Sequence, residues 1–292
     1  MARVAVVGVG AIGATVAAAA QDAGNELVLC ARRPVERIVV ERADGGEAVL
    51  AGPVLTEPSA IDEPAAWIVL AVKAHQTPGA AGWLSALCTP QSTVAVLQNG
   101  IDHVERVAPL VGGAAVLPVV NWCAAEPVAT GRVRQRTTLA LAVPDGEPGA
   151  AFAALLGDHA EVSVGDGFAA EAWRKLCVNA VSGVMALAGR PAEIFALADV
   201  REVARTMAYE CVAVARAEGV SLTERDADEL IEWLLALPAD AGSSILTDRQ
   251  AGRALEWEAR NAVISRLGRR HGVATPVSDT VAALLHAASD GA

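Results

Sequence analysis

Only two lysines, Lys73 and Lys175, stand in a chain of 292 residues whose other 21 basic residues are arginines. A composition this rich in Ala, Gly, Val and Arg suggests G/C-rich coding, which would turn an indifferent lysine into arginine. A guanidinium keeps its proton at neutral pH, whereas a buried ammonium can release one. The two surviving lysines are therefore candidate sites for proton transfer or for a compact cationic contact. Lys175, Asn179 and Gly183 recur at every fourth position in the proline-free run 168–189. At helical spacing this puts an amine, an amide and a gap on one face. Leu176, Val178, Val181, Val184, Met185 and Leu187 make the rest apolar, so the stripe is expected to face a cavity. The ordinary alternative is a lysine snorkelling outward from a core helix.

A second constellation opens the chain. The apolar run 3–7 leads directly into Gly8-Val9-Gly10-Ala11-Ile12-Gly13 and then into an alanine-rich helical run. In that order the first glycine allows a tight turn, the second admits a pyrophosphate to the backbone, and the third lets helix pack on strand. The N–H groups at Ala11 and Ile12 open the helix toward the phosphates. The next strand, 26–30, ends in Ala31-Arg32-Arg33, without the carboxylate that would take the ribose hydroxyl of NAD. Arg32 suits a 2′-phosphate, so NADP (NADPH) is the expected cofactor. Lys73 closes the strand expected at 67–72, on the edge where ligands sit in such sheets, within reach of a cofactor phosphate or ribose.

Three further polar residues stand out. Asn99, in Gln98-Asn99-Gly100, closes another strand on the same edge, although Asn-Gly is also a common turn. Ser244 is either a helix cap or a ligand contact. Glu256, beside Trp257, is either a helix-surface acid or, turned inward, a partner for the Lys175 ammonium.

The elements that must position these residues fall into two blocks. Strands are expected at 3–7, 26–30, 67–72, 93–97, 114–120 and 132–143, with a strand pair and turns at Gly45-Gly46 and Gly52-Pro53 between 38 and 54. After residue 165 strand signals vanish, and helical patterns run over 168–189, 200–218, 224–237, 254–271 and 276–288. The expected architecture is an α/β, doubly wound parallel sheet over 1–165 that binds the cofactor, followed by an all-α domain over 166–292 that carries substrate and catalysis. The cleft between two such domains is the default active site.

Composition narrows the partners. Net charge is −11, with 10 basic against 16 acidic residues before Asp166 and 13 against 18 from there on. Neither half offers a basic face, which argues against nucleic acid and anionic membranes. Five scattered cysteines without CxxC spacing argue against zinc and a disulfide framework, so no metal is expected and the cytoplasm is the expected compartment. No apolar stretch is long enough to serve as a secretory signal or to span a bilayer.

Taken in order, Val7-Gly8-Val9-Gly10-Ala11-Ile12-Gly13, Val72-Lys73-Ala74-His75-Gln76, Gln98-Asn99-Gly100, Trp173-Arg174-Lys175 with Asn179, Ser243-Ser244-Ile245-Leu246 and Ala251-Gly252-Arg253-Ala254-Leu255-Glu256 resemble the 2-dehydropantoate 2-reductases (ketopantoate reductases) over the whole chain. The resemblance implies a Rossmann domain plus a helical domain, NADPH as hydride donor and a branched 2-oxo acid as the small-molecule partner, in a step of pantothenate biosynthesis. A homodimer is the candidate assembly. The resemblance also implies that Lys175 is the general acid, that Glu256 supports the site by hydrogen bonding, that Asn99, Asn179 and Ser244 contact substrate or cofactor, and that Arg32 and Lys73 hold the 2′-phosphate.

Three positions depart from the family pattern. Gly183 replaces a second asparagine, Trp122 enters what is otherwise a glycine-rich turn, and Glu258, Ala259 and Asn261-Ala262 keep only part of the segment after the glutamate. Two other readings remain. One is a reductase of another 2-oxo acid or related carbonyl, such as a β-hydroxyacid dehydrogenase, although the glycine-rich run usual before that lysine is absent. The other is a catalytically silent NADP-binding redox sensor.

Overall fold

The computed structural model describes residues 1–51 and 54–289, so the turn expected at Gly52-Pro53 lies outside the described residues. Two compact units divide the chain: Met1–Gln98 with Asp102–Phe168, and Asn99–Ile101 with Ala169–Ala292.

The first unit contains, in chain order, β1 (Arg3–Val7), α1 (Ala11–Asp22), β2 (Glu26–Cys30), β3 (Val39–Glu41), β4 (Glu47–Val49), β5 (Val54–Leu55), β6 (Trp67–Leu70), α2 (Ala81–Leu87), β7 (Thr93–Val96), α3 (His103–Val107), β8 (Ala115–Pro118), β9 (Val120–Asn121), β10 (Ala125–Ala129), β11 (Arg132–Gln135), β12 (Ala140–Val143), α4 (Glu147–Leu156) and β13 (Glu161–Val164). Six strands form a parallel sheet in the order β5-β2-β1-β6-β7-β8. Alternation along the strands feeds two cores. Val4 and Val6 of β1 join Val69 and Ala95 on the side of α1, while Ala5 and Val7 join Ile68, Leu70, Val94 and Val96 on the side of α2. A sheet covered on both faces accounts for the continuous apolar runs in its sequence. The strand order reverses between β1 and β6, the switch point at which such sheets bind ligands.

Two strand expectations change. The run 132–143 is not one strand: β11 joins a sheet ordered β10-β11-β3-β4, and β12 joins another ordered β13-β12-β9. The polar stretch Arg136-Thr137-Thr138 turns the chain, with Arg136 N–H donating to Ala124 O. The run 114–120 also divides, because Pro118 ends β8 at the sheet edge and Val120 pairs instead with β12.

The second unit is helical: α5 (Phe168–Val181), α6 (Gly183–Ala188), α7 (Ala198–Ala217), α8 (Glu224–Ala236), α9 (Ser244–Gln250), a widened π-turn at Glu258–Ala262, α10 (Val263–His271) and α11 (Pro276–Ser289). After β13 no strand follows among the described residues. Trp173, Leu176, Cys177, Ala180 and Val181 of α5 pack with Met207, Ala208 and Cys211 of α7 and with Leu285 of α11. Buried Glu210 on α7 accepts the N–H groups of Val277 and Ser278, anchoring the first turn of α11. The helix expected over 168–189 is interrupted at Ser182, and the one expected over 254–271 starts only at Trp257.

Candidate active site

In the first unit the glycine turn separates the three roles expected of it. Gly8 has φ +99°, and a Cβ there would lie 2.6 Å from Val72 N, so only glycine fits between β1 and the segment after β6. A Cβ at Gly13 would lie 2.1 Å from Gly8 O, which locks the helix against the turn. A Cβ at Gly10 would meet nothing within 4 Å. Gly10 also begins α1 with no side-chain cap, so the helix presents its N-terminal N–H groups, with Ala11 and Ile12 half-buried behind them. Open space in front of uncapped N–H groups could hold a pyrophosphate.

The parallel register Val7↔Cys30 brings the ends of β1 and β2 together, so Arg32 follows on the same edge as Gly8. Arg32 and Arg33 are exposed, and neither forms an ion pair among the described residues. On the other side of β1, Ala71 N donates to Val7 O, and half-buried Lys73 lies two residues further on, at the start of a 3-10 turn, Ala74–Ala80.

That loop is pinned by Gln98, the residue before Asn99. Gln98 is buried, and its amide donates to Val72 O (3.0 Å) and to Thr77 Oγ1 (2.9 Å). His103 in turn fixes Gln98, with Nε2 2.7 Å from the Gln98 carbonyl. A carbonyl only accepts, so Nε2 carries the proton. Burial pushes the His103 pKa down to about 4, so the ring is neutral at physiological pH.

In the second unit, residues far apart in sequence converge. Asn179 on α5 donates from Nδ2 to Asn99 Oδ1 (3.1 Å), and Asn99 donates from Nδ2 to Glu256 Oε2 (3.0 Å). The carboxylate can only accept, which fixes the orientation of both amides. Glu256 is 7% exposed and immediately precedes the helix, so it is not a helix-surface acid. Trp257 stacks on His286 of α11 with ring centroids 4.2 Å apart. Lys175 is half-buried on α5, one turn before Asn179.

The stripe does not continue as a gap. A Cβ at Gly183 would lie 2.8 Å from Leu285 Cδ1 and 3.1 Å from Asn261 Nδ2, so close packing and not a cavity fills its third position. Ser244 is not the cap of α9 either. Ser243 fills that place, its Oγ accepting from Leu246 N, while Ser244 is exposed at the first helical position. Ser244 Oγ accepts from Nη1 of Arg260 (2.9 Å), a residue with no part in the sequence motifs. In a chain with 21 arginines its type carried no signal. The π-turn places Arg260 and Asn261 side by side in the interior. Among the described residues no group of three or more His, Cys, Asp or Glu could hold a metal ion, and no helix is long and apolar enough to cross a membrane.

Comparison with known proteins agrees with both units. Residues 4–148 match the family model described as ketopantoate reductase PanE/ApbA, and residues 168–289 match that of its C-terminal domain. The chain is 45% identical over 289 residues to a 2-dehydropantoate 2-reductase of Mycobacterium tuberculosis (strain ATCC 25618 / H37Rv), covering 99% of this chain and 98% of that one. Among solved structures, a PanE/ApbA family ketopantoate reductase from Ralstonia eutropha JMP134 is similar with TM-score 0.89 and 27% identity, covering 99% of this chain and 98% of that one. A D-mandelate dehydrogenase solved with NADH and anilino(oxo)acetate shares the fold, with TM-score 0.87 and 23% identity over 99% of this chain and 98% of that one.

Proposed function

The chain belongs to the ketopantoate reductase family, oxidoreductases acting on a CH–OH/C=O pair, and from that premise we propose that it reduces 2-dehydropantoate to pantoate with NADPH. The nicotinamide, when bound, supplies a hydride to the C2 carbonyl carbon. Negative charge then grows on the carbonyl oxygen, and the Lys175 ammonium donates the proton that makes it a hydroxyl. A cation at that oxygen favours the transition state over the ground state. Glu256 holds Asn99, and Asn99 holds Asn179, so that the amides are set before substrate arrives. Ser244 takes the substrate carboxylate, while the glycine turn takes the pyrophosphate and Arg32 and Lys73 take the 2′-phosphate. A nicotinamide cofactor suits this family, and the exposed arginine after β2 favours its phosphorylated form. The reading includes a reducing, cytosolic setting, which suits five free cysteines, and a homodimer, which sedimentation would test.

The observation that carries this reading is the hydrogen-bonded run Asn179–Asn99–Glu256, which starts on the helix that presents Lys175. NADPH oxidation should be measured against a panel of 2-oxo acids. Turnover of 2-dehydropantoate with the highest kcat/KM supports the assignment. The close packing at Gly183 favours a second reading, a reductase of a different 2-oxo acid, and the same panel would show it as a shifted preference. No turnover of any 2-oxo acid would leave an NADP-binding sensor.

A further inference from the structure

Arg260 is 2% exposed, yet it forms no ion pair among the described residues. Its guanidinium donates only to neutral oxygens: Ser244 Oγ (2.9 Å), Ser182 Oγ (2.8 Å) and the Asn179 carbonyl (3.2 Å). Nε is buried without a partner. Glu256 and Asp248 attract the guanidinium through space, but the carboxylates bond to other groups, Asp248 to Arg253 at 2.9 Å and Glu256 to Asn99. Burying a cation whose hydrogen-bond partners are neutral is costly, and an apolar residue of similar length would avoid that cost. Two of its bonds have a structural purpose, since they satisfy the end of α5 at the Ser182 break. The bond to Ser244 does not, because Ser243 already caps α9.

That bond has a directional consequence. Ser244 Oγ accepts from Arg260, so its own proton is free to point outward from the exposed first turn of α9, with the positive charge directly behind it.

We propose that Arg260 is the positioning residue that makes this site select an anionic substrate: it turns the Ser244 hydroxyl into an outward donor and backs it with buried positive charge, so that the carboxylate of the 2-oxo acid is bound there. The proposal rests on the reading of Ser244 as a substrate contact. Substrates lacking the negative charge gain nothing from the arrangement.

The test compares a 2-oxo acid with its methyl ester in the wild-type protein and in Arg260→Met, Arg260→Lys and Ser244→Ala. In Arg260→Met the KM of the acid should rise about 10-fold to 100-fold, with kcat changed only a few-fold and the KM of the ester unchanged. Arg260→Lys should recover part of the discrimination. Ser244→Ala leaves the buried guanidinium in place and should weaken the acid alone; it also decides the matter if Arg260→Met does not fold. An acid-to-ester ratio that stays at the wild-type value in the Arg260→Met and Ser244→Ala variants, with both substrates weakened together, would reduce Arg260 to a structural staple and overturn the proposal. If the wild-type protein turns over no 2-oxo acid, the functional reading fails separately. Calorimetric titration with pantoate then decides the inference: binding lost in Arg260→Met supports it, and no binding to the wild-type protein ends it.

Discussion

In the first unit the candidate ligand site is made of backbone: Gly8, Gly10 and Gly13 shape a turn, and the helix behind it offers its own N–H groups. In the second unit the candidate site is made of side chains, with Lys175, Asn179, Asn99, Glu256, Ser244 and Arg260 brought from four separate stretches. The two kinds of construction should fail differently. A backbone site tolerates no added volume, because shape is its function. A side-chain site tolerates volume but not the loss of a proton, a charge or an acceptor.

The sharpest test of that contrast is Lys175→Ala, which should lower kcat by roughly two to four powers of ten while NADPH binding and melting temperature stay near wild type. Normal turnover in that variant would break the assignment. In the glycine turn, Gly13→Ala should cost about 3 kcal/mol or more in unfolding free energy, because its Cβ has no room beside Gly8 O. Gly10→Leu meets nothing within 4 Å at its Cβ and should melt normally, yet weaken NADPH binding about 10-fold to 100-fold. A Gly10→Leu protein that binds NADPH as tightly as wild type would remove the pyrophosphate from this turn.

Acid stability probes the residue that anchors the strand end before Asn99. The folded His103 protonates only near pH 4, against 6.5 ordinarily, so the unfolded chain binds more protons between those values. Its contribution is fully present above about pH 6.5 and is lost as pH falls toward 4, amounting to about 3 kcal/mol. Urea unfolding of His103→Gln should lack that share of the acid loss; an identical pH dependence would refute it. The smallest effect expected is at Arg32→Ala, about 10-fold weaker binding of NADPH with little change for NADH, read by fluorescence titration. Equal loss for both coenzymes would remove the 2′-phosphate contact.

The same contrast accounts for what could be read from the amino-acid order. The glycine turn is contiguous, and each of its roles follows from the spacing. Lys175 and Asn179 share a helix face because four residues nearly complete a turn. Asn99 and Glu256 could be singled out only individually, since the bond joining them spans 157 residues. The π-turn gives no local signal, which hid Arg260, and Gly183 reads as a gap until Leu285 and Asn261 are placed beside it. The division of 132–143 was missed because alternation describes a strand without saying which sheet it joins.

Asn99–Ile101 is a three-residue loan from the sheet-containing unit to the helical unit. Anyone building a chimera by swapping helical halves between related reductases at a single crossover near residue 168 would leave Asn99 behind, and Glu256 and Asn179 would inherit whatever the new host offers in its place. A second crossover on either side of that tripeptide is the smallest design that transplants the polar chain intact.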